Sequence, residues 1–111
     1  MKHKIDELEG APLDVAVMLA EFMDLGMTEP VARRCLADRM QFDMVYRYSR
    51  DWSRGGPIFE REGMVAMYGN DSVGVSIQDS HLPPQWGPSL LVAAMCAYVA
   101  SKFGDGVELP D

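Results

Sequence analysis

The sequence predicts an α+β fold in which a small antiparallel β-sheet packs against a buried C-terminal helix, with two further helices near the N-terminus. Three observations indicate this fold. Residues 88–103 form an almost wholly apolar segment of helical length. Two β-prone runs, 64–68 and 72–77, are separated by a turn and predict a hairpin. Residues 12–24 and 29–40 carry apolar side chains at helical spacing and predict the covering helices.

Length and composition are those of one globular domain. The 111 residues are 48% hydrophobic and 24% charged, which is ordinary for a folded soluble protein. No apolar run reaches the ~18 residues that a membrane span needs. The basic start, Met1 to Lys4, is followed by an acidic stretch instead of the apolar core of a leader peptide. We therefore expect one domain, 1–111, that acts in the cytoplasm without a membrane partner.

The two N-terminal helices have recognisable start and stop signals. Pro12 suits a first helical turn, and Gly26 suits a helix end. Thr28 is a candidate N-cap for the second helix, with Pro30 in its first turn. Beyond this helix, the aromatic residues and the valine of 42–48 favour an extended segment.

The hairpin and the C-terminal helix make the predicted core. Residues 69–71 have turn composition, and in the strand 72–77 apolar residues alternate with small or polar ones, so one face of the sheet should meet the core. The C-terminal helix is expected to begin near Ser89 and to end at Gly104. The tail 105–111 is expected to add a short strand at an edge.

The charges divide the chain into two parts. Positions 33–62 hold all seven arginines and five acids, whereas the remainder holds three lysines and twelve acids. We therefore expect an electropositive middle in an acidic protein. A basic region this small argues against binding of duplex nucleic acid. It favours a small anionic ligand held by arginine side chains.

Cysteine and histidine usage predicts no metal site and no cofactor. Cys35 and Cys96 fall in apolar, helix-like segments, where a free cysteine behaves as a small buried hydrophobe. The two histidines, His3 and His81, have no ligand spacing with each other or with the cysteines.

Residues 50–63 combine charged, aromatic and turn-forming residues more densely than any other stretch. Gly55-Gly56-Pro57 predicts a shaped loop that opens a short helical turn at Pro57. In this interpretation arginine takes phosphate, tryptophan stacks on a base, and the acids accept hydrogen bonds from ribose or base. The candidate ligand-binding residues are Arg50, Asp51, Trp52, Arg54, Gly55, Gly56, Glu60, Arg61, Trp86 and Ser89. The alternative interpretation is a structural corner whose charges face water.

Four stretches of the chain, in their order and spacing, resemble the NinX-like family of small phage and prophage proteins of unknown function. They are 7–11, 52–63, 87–95 and 98–105. The resemblance is weakest over 24–48. It implies a phage origin and action in the bacterial cytoplasm, and it supplies no established activity.

Three classes of function are open at this point. The first is a non-enzymatic phage accessory protein that counters a host defence by sequestering a small anionic, nucleotide-derived immune signal. The second is a protein–protein interaction module that inhibits a host defence protein or a phage protein directly. The third is an enzyme using Asp51, Glu60, Glu62 or His81 as acid or base, which is disfavoured because no nucleophile or phosphate-loop motif accompanies them. We also expect a homodimer, because the hairpin and the C-terminal helix carry more apolar surface than two outer helices cover.

Overall fold

The computed structural model of the protein describes residues 1–110 and confirms the α+β fold. None of the helices in this range is long and apolar enough to cross a bilayer. A single 3₁₀ turn, Ile5–Glu7, follows the first strand. The other elements, in chain order, are β1 (Lys2–Lys4), α1 (Gly10–Asp24), α2 (Glu29–Gln41), α3 (Trp52–Arg61), β2 (Met64–Tyr68), β3 (Val73–Ile77), β4 (Gln85–Gly87), α4 (Leu90–Phe103) and β5 (Gly106–Glu108).

Helix α4 lies at the centre of the fold, as its composition predicts. Residues 93–100 are all buried, and eight successive residues cover every side of a helix with 3.6 residues per turn. Helices α1 and α3 pack on α4 from one side, and strands β3 and β4 pack from the other. The Oγ of Ser89 caps the helix by accepting a hydrogen bond from the N–H of Val92 at 3.2 Å.

Strands β2, β3 and β4 form an antiparallel sheet in that order. Its inner face packs on the core through residues such as Val75, which is fully buried. On the outer face, Met67, Gly74 and Trp86 lie opposite one another across the three strands. A Cβ on Gly74 would be 2.8 Å from the Trp86 indole, so the tryptophan lies flat over this glycine. The hairpin is confirmed, and residues 85–87, which the proline-containing sequence around them favours as part of a loop, form the third strand.

A second sheet joins the two ends of the chain. Strand β1 pairs antiparallel with β5, with Lys2 opposite Glu108 and Lys4 opposite Gly106. The predicted edge strand in the tail is confirmed. Its partner near the N-terminus was not predicted, because three residues are too few to show an alternating pattern.

The expected extended segment at 42–48 is not a strand. These residues form an irregular connection between α2 and α3. Tyr48 is buried, while Phe42 and Met44 are exposed. High β-propensity describes a fit to a pleated, half-buried surface, and this segment has no neighbouring strand to supply one.

The expected loop around Gly55-Gly56-Pro57 is also wrong, because these residues lie inside α3. The helix begins earlier, at Trp52, where the Asp51 carboxylate accepts hydrogen bonds from the Ser53 N–H at 3.0 Å and from its hydroxyl at 2.7 Å. The glycines do not provide a left-handed turn. A Cβ on Gly55 would lie 2.3 Å from the Tyr48 carbonyl oxygen, so this glycine allows close packing of the helix.

Candidate functional site

The predicted ligand contacts on α3 point in different directions. Trp52 and Arg54 are two residues apart, which separates them by roughly 200° around the helix axis. The Trp52 ring meets Phe59 edge-on with centroids 6.3 Å apart. On the other flank, the Arg54 guanidinium lies 3.8 Å from the centroid of the Tyr46 ring. The tryptophan and the arginine therefore do not converge on one small ligand.

Arg50 neutralises a buried carboxylate. Its Nη2 lies 3.0 Å from Oδ2 of Asp14, a residue of α1 that is only 2% exposed. The other carboxylate oxygen, Oδ1, accepts hydrogen bonds from the N–H of Ser49 at 2.8 Å and from its hydroxyl at 2.7 Å. An ionised buried carboxylate needs such partners. The contact thus fastens the 47–50 turn to α1 and accounts for this arginine structurally.

Arg61 belongs to an ion-pair network between helices. Its Nη2 lies 2.9 Å from Oε1 of Glu21 on α1, and its Nε lies 3.0 Å from Oε2 of Glu62. The hydrogen bond to Glu21 is the main reason that the pKa of the Arg61 guanidinium is raised. This charge is already balanced within the chain.

The network continues to α4 through Asp24. Partial burial by itself would raise the pKa of the Asp24 carboxyl, but hydrogen bonds from Lys102 and Tyr98 outweigh burial and lower it. Burial and the hydrogen bond to Asp24 raise the pKa of the Tyr98 hydroxyl. These contacts connect α1 to α4 and have a structural role.

The remaining candidates on and near α3 divide into caps, packing residues and exposed side chains. Asp51 caps α3, and hydrogen bonds from Ser53 lower the pKa of its carboxyl. Gly56 has open space except for Trp52, at 3.3 Å from a Cβ placed there. Glu60 is exposed. A ligand role for Trp52, Arg54 and Glu60 stays a prediction.

A cleft of about 860 Å³ lies elsewhere, between the β1–β5 ribbon and the segment 83–86. Trp86 lines it and is 47% exposed. The opposite wall is formed by Lys2, His3 and Lys4. Of the ten candidate residues, Trp86 alone contributes to this cleft.

Two lysines, Lys2 and Lys4, supply the positive charge of the cleft. Within residues 1–110, neither Lys2 nor Lys4 forms an ion pair. A Cβ on Gly106 would lie 2.9 Å from Cε of Lys2, so the lysine stem packs on this glycine, and both residues line the cleft. Asp6 and Asp105 complete the polar lining.

A protein-family model described as Bacteriophage P22, NinX matches residues 4–102. The chain belongs to the NinX family. No curated protein matches it. The NinX match spans the four helices almost completely and includes Lys4 and Trp86, whereas Lys2 and Asp105 lie outside it. The family resemblance seen in the sequence is therefore confirmed.

Metal-ligating residue types are dispersed in the described part of this NinX protein. No group of three or more His, Cys, Asp or Glu side chains within 1–110 is placed to hold a metal ion. Cys96 is buried, its thiol lies 3.5 Å from the Leu8 carbonyl oxygen, and burial raises its pKa to about 12. A thiol with so high a pKa is a poor nucleophile at neutral pH.

Proposed function

We propose that this phage protein binds a small anionic ligand with an aromatic ring, of the nucleotide class, without transforming it. Its proposed role in the cell is to sequester a nucleotide-derived signal of a host defence. The observation that carries the proposal is the cleft, where Trp86 lines the same space as Lys2 and Lys4, which form no ion pair within residues 1–110. Its volume of about 860 Å³ lies within the range of roughly 300–1,000 Å³ typical of ligand pockets.

The chemistry of the lining matches the two ends of a nucleotide. The lysine ammonium groups attract phosphate as point charges, and the exposed Trp86 indole offers a stacking surface for a base. The amide of Gln85 adds a donor and an acceptor, and Asp6 adds an acceptor for hydroxyl or amino groups.

The proposal is tested by calorimetric titration with a panel of nucleotides and cyclic dinucleotides, with orthophosphate as the control for a purely ionic site. Removing both lysines in K2A/K4A should weaken binding at least ten- to a hundredfold, since one charge-assisted contact alone contributes about 1.5–3 kcal/mol. W86A should weaken it by a similar factor, because stacking contributes about 1–3 kcal/mol per base. The nucleotide should be recovered chemically unchanged.

Matched control variants come from α3. Trp52 is 51% exposed against 47% for Trp86, so W52A removes an equivalent indole outside the cleft. R54A removes a cation that also lacks an ion pair within 1–110. Binding that survives K2A/K4A but is lost in W52A or R54A would move the site to α3. No binding of any nucleotide at millimolar concentration would overturn the proposal.

A second candidate function, direct inhibition of a protein, has its own supporting observation. The α2–α3 connection and the start of α3 expose large apolar side chains, with Phe42 68%, Met44 51% and Trp52 51% exposed. Aromatic residues and arginine are the types that contribute most at protein interfaces. Affinity purification from infected cells separates the two functions. A small bound mass supports the ligand proposal, whereas a polypeptide that is lost in W52A supports protein inhibition.

A further inference from the structure

Strand β2 is an edge strand without the features that protect the other edges. In the β1–β5 sheet, Lys2 and Lys4 place charges on one strand, and Glu108 places a charge on the other. Strand β4 has only three residues and follows Pro83-Pro84. By contrast, β2 is five residues long, has no charge, proline or bulge, and pairs in continuous register with β3. Unprotected apolar edges of this kind pair with other strands.

The hydrogen bonds at the two ends of the hairpin show which backbone groups of β2 face its open edge. At the turn, the N–H of Gly69 donates to the Ser72 carbonyl at 2.9 Å. At the other end, the N–H of Gln78 donates to the Gly63 carbonyl at 3.0 Å. In an antiparallel ladder, residues bonded to the neighbouring strand alternate with residues that face away from it.

Val65 and Met67 therefore bond to β3, since they are in phase with Gly63 and Gly69. Met64, Ala66 and Tyr68 direct their N–H and carbonyl groups to the open edge. Within residues 1–110 these outward groups have no hydrogen-bond partner on another element. The three residues with outward backbone groups are spaced symmetrically about Ala66. The edge of β2 is therefore complementary to a second copy of itself in antiparallel orientation.

We propose that two copies of the chain pair through β2 in antiparallel register, with a two-fold axis at Ala66. In this register Ala66 faces Ala66 of the second copy, and Met64 faces Tyr68, so every outward N–H and carbonyl of both strands is paired. On the outer face, exposed Val65 lies opposite exposed Met67. Such cross-strand apolar pairs stabilise the contact, and a uniformly uncharged strand brings no repulsion despite the net charge of −7 per chain.

This proposal assigns a contact surface to the dimer expected from the sequence, and it changes the physical reason for dimerisation. Helix α4 is buried within its own chain on all sides and needs no second copy to cover it. The hairpin has apolar surface of its own that stays exposed, with Val65 48% exposed and Tyr68 73% exposed. Pairing at an edge by strand addition uses backbone hydrogen bonds for affinity and alternate side chains for register.

The first measurement is the mass of the full chain in solution by sedimentation velocity at micromolar concentration. We expect twice the 12.3 kDa of one chain. The double variant V65K/M67K places lysines opposite each other at both cross-strand pairs and should give the single-chain mass. The matched variant V65K/M67E replaces the same two side chains but places a lysine opposite a glutamate, so it should remain a dimer that dissociates as salt is raised.

The second measurement, amide hydrogen exchange, identifies the edge itself. In the wild-type dimer the amides of Ala66 and Tyr68 should be protected, and they should lose this protection in V65K/M67K. The amides of Val65 and Met67, bonded to β3, should stay protected in both proteins, which also shows that the variant is folded. A wild-type chain of single-chain mass at about 100 μM, or a dimer in which Ala66 and Tyr68 exchange freely, would overturn the proposal.

Discussion

The two neighbouring glycines of α3 should respond to alanine in opposite directions. At Gly55, a Cβ would lie 2.3 Å from the Tyr48 carbonyl oxygen and 2.6 Å from Cδ1 of Leu91. The leucine can rotate, but a backbone oxygen cannot, so the helix has to move away from its neighbours. At Gly56, the nearest atom is a ring carbon of Trp52 at 3.3 Å, and this ring is half exposed and free to adjust.

The magnitudes follow from two opposing effects. Alanine is favoured over glycine inside a helix by about 1 kcal/mol, and at Gly56 the clash of a new Cβ with the ring of Pro57 offsets part of this gain. Overpacking a core costs about 1–3 kcal/mol, and contact with the fixed Tyr48 carbonyl should bring Gly55→Ala to the upper end of that range. We therefore expect Gly55→Ala to lower the free energy of unfolding by about 2 kcal/mol, and Gly56→Ala to leave it unchanged or raise it by up to about 1 kcal/mol.

Thermal and urea unfolding followed by circular dichroism provide the assay. A loss of about 2 kcal/mol corresponds to a fall in Tm of about 10 °C for a domain of this size. Gly56→Ala should melt at or slightly above the wild-type temperature. If both variants are stabilised alike, Gly55 is not in close contact with Tyr48 and Leu91, and the packing of α3 on α4 described above is wrong.

Three further outcomes are expected. Asp14→Ala leaves both buried donors of Ser49 without an acceptor and should cost about 2–3 kcal/mol in urea unfolding, whereas Asp14→Asn retains an acceptor oxygen and should cost less; equal losses would contradict the hydrogen bonds assigned to this carboxylate. The pKa of the Asp24 carboxyl is lowered in the folded state, so its contribution of about 1 kcal/mol to the free energy of unfolding is complete above about pH 5 and is lost as the pH falls through the folded pKa. The difference in stability between wild type and Asp24→Asn should therefore shrink from pH 6 to pH 2. A difference that does not depend on pH would contradict this assignment. The V65K/M67K variant should bind a nucleotide with wild-type affinity per chain in calorimetry.

The elements that the sequence predicts well are those whose signal is local and long. Helix α4 has fourteen residues without an acid among them, and burial on all sides is the only arrangement that removes so much apolar surface from water. The hairpin has two β-prone runs on either side of a turn, and the second run, 72–77, alternates apolar with small or polar residues. The three-residue strands β1, β4 and β5 carry almost no periodic signal, so only the tail strand was predicted.

The segment 50–63 shows how a local pattern misleads when the reason for it is elsewhere in the chain. Adjacent glycines are as typical of close helix packing as of a turn, and the choice depends on the Tyr48 carbonyl and the Leu91 side chain. Neither lies within the segment. The net charge around the arginines is hard to predict for the same reason, because folding brings acids from other parts of the sequence next to them.

Acids from outside positions 33–62 reduce the positive charge that the sequence predicts for this middle part. Arg50 is paired with Asp14, and Arg61 with Glu21, and both acids precede position 33. The cleft is not predicted from the sequence, because the residues that line it are far apart along the chain. Lys2 and Lys4 lie at the terminus, far from Trp86 in sequence, and the pairing of β1 with β5 brings them to the same space as the tryptophan.

The proposed ligand site and the proposed dimer contact lie at opposite edges of one sheet. Trp86 is on β4 and Ala66 on β2, with β3 between them, so they are separated by two strand spacings, about 10 Å. Pairing through β2 makes a six-stranded sheet whose outer strands are the two copies of β4. Each cleft then remains open and is built from one chain alone, because β1, β5 and β4 of the same chain line it. A dimer of this form binds two ligands independently, and dimerisation adds stability without completing the site.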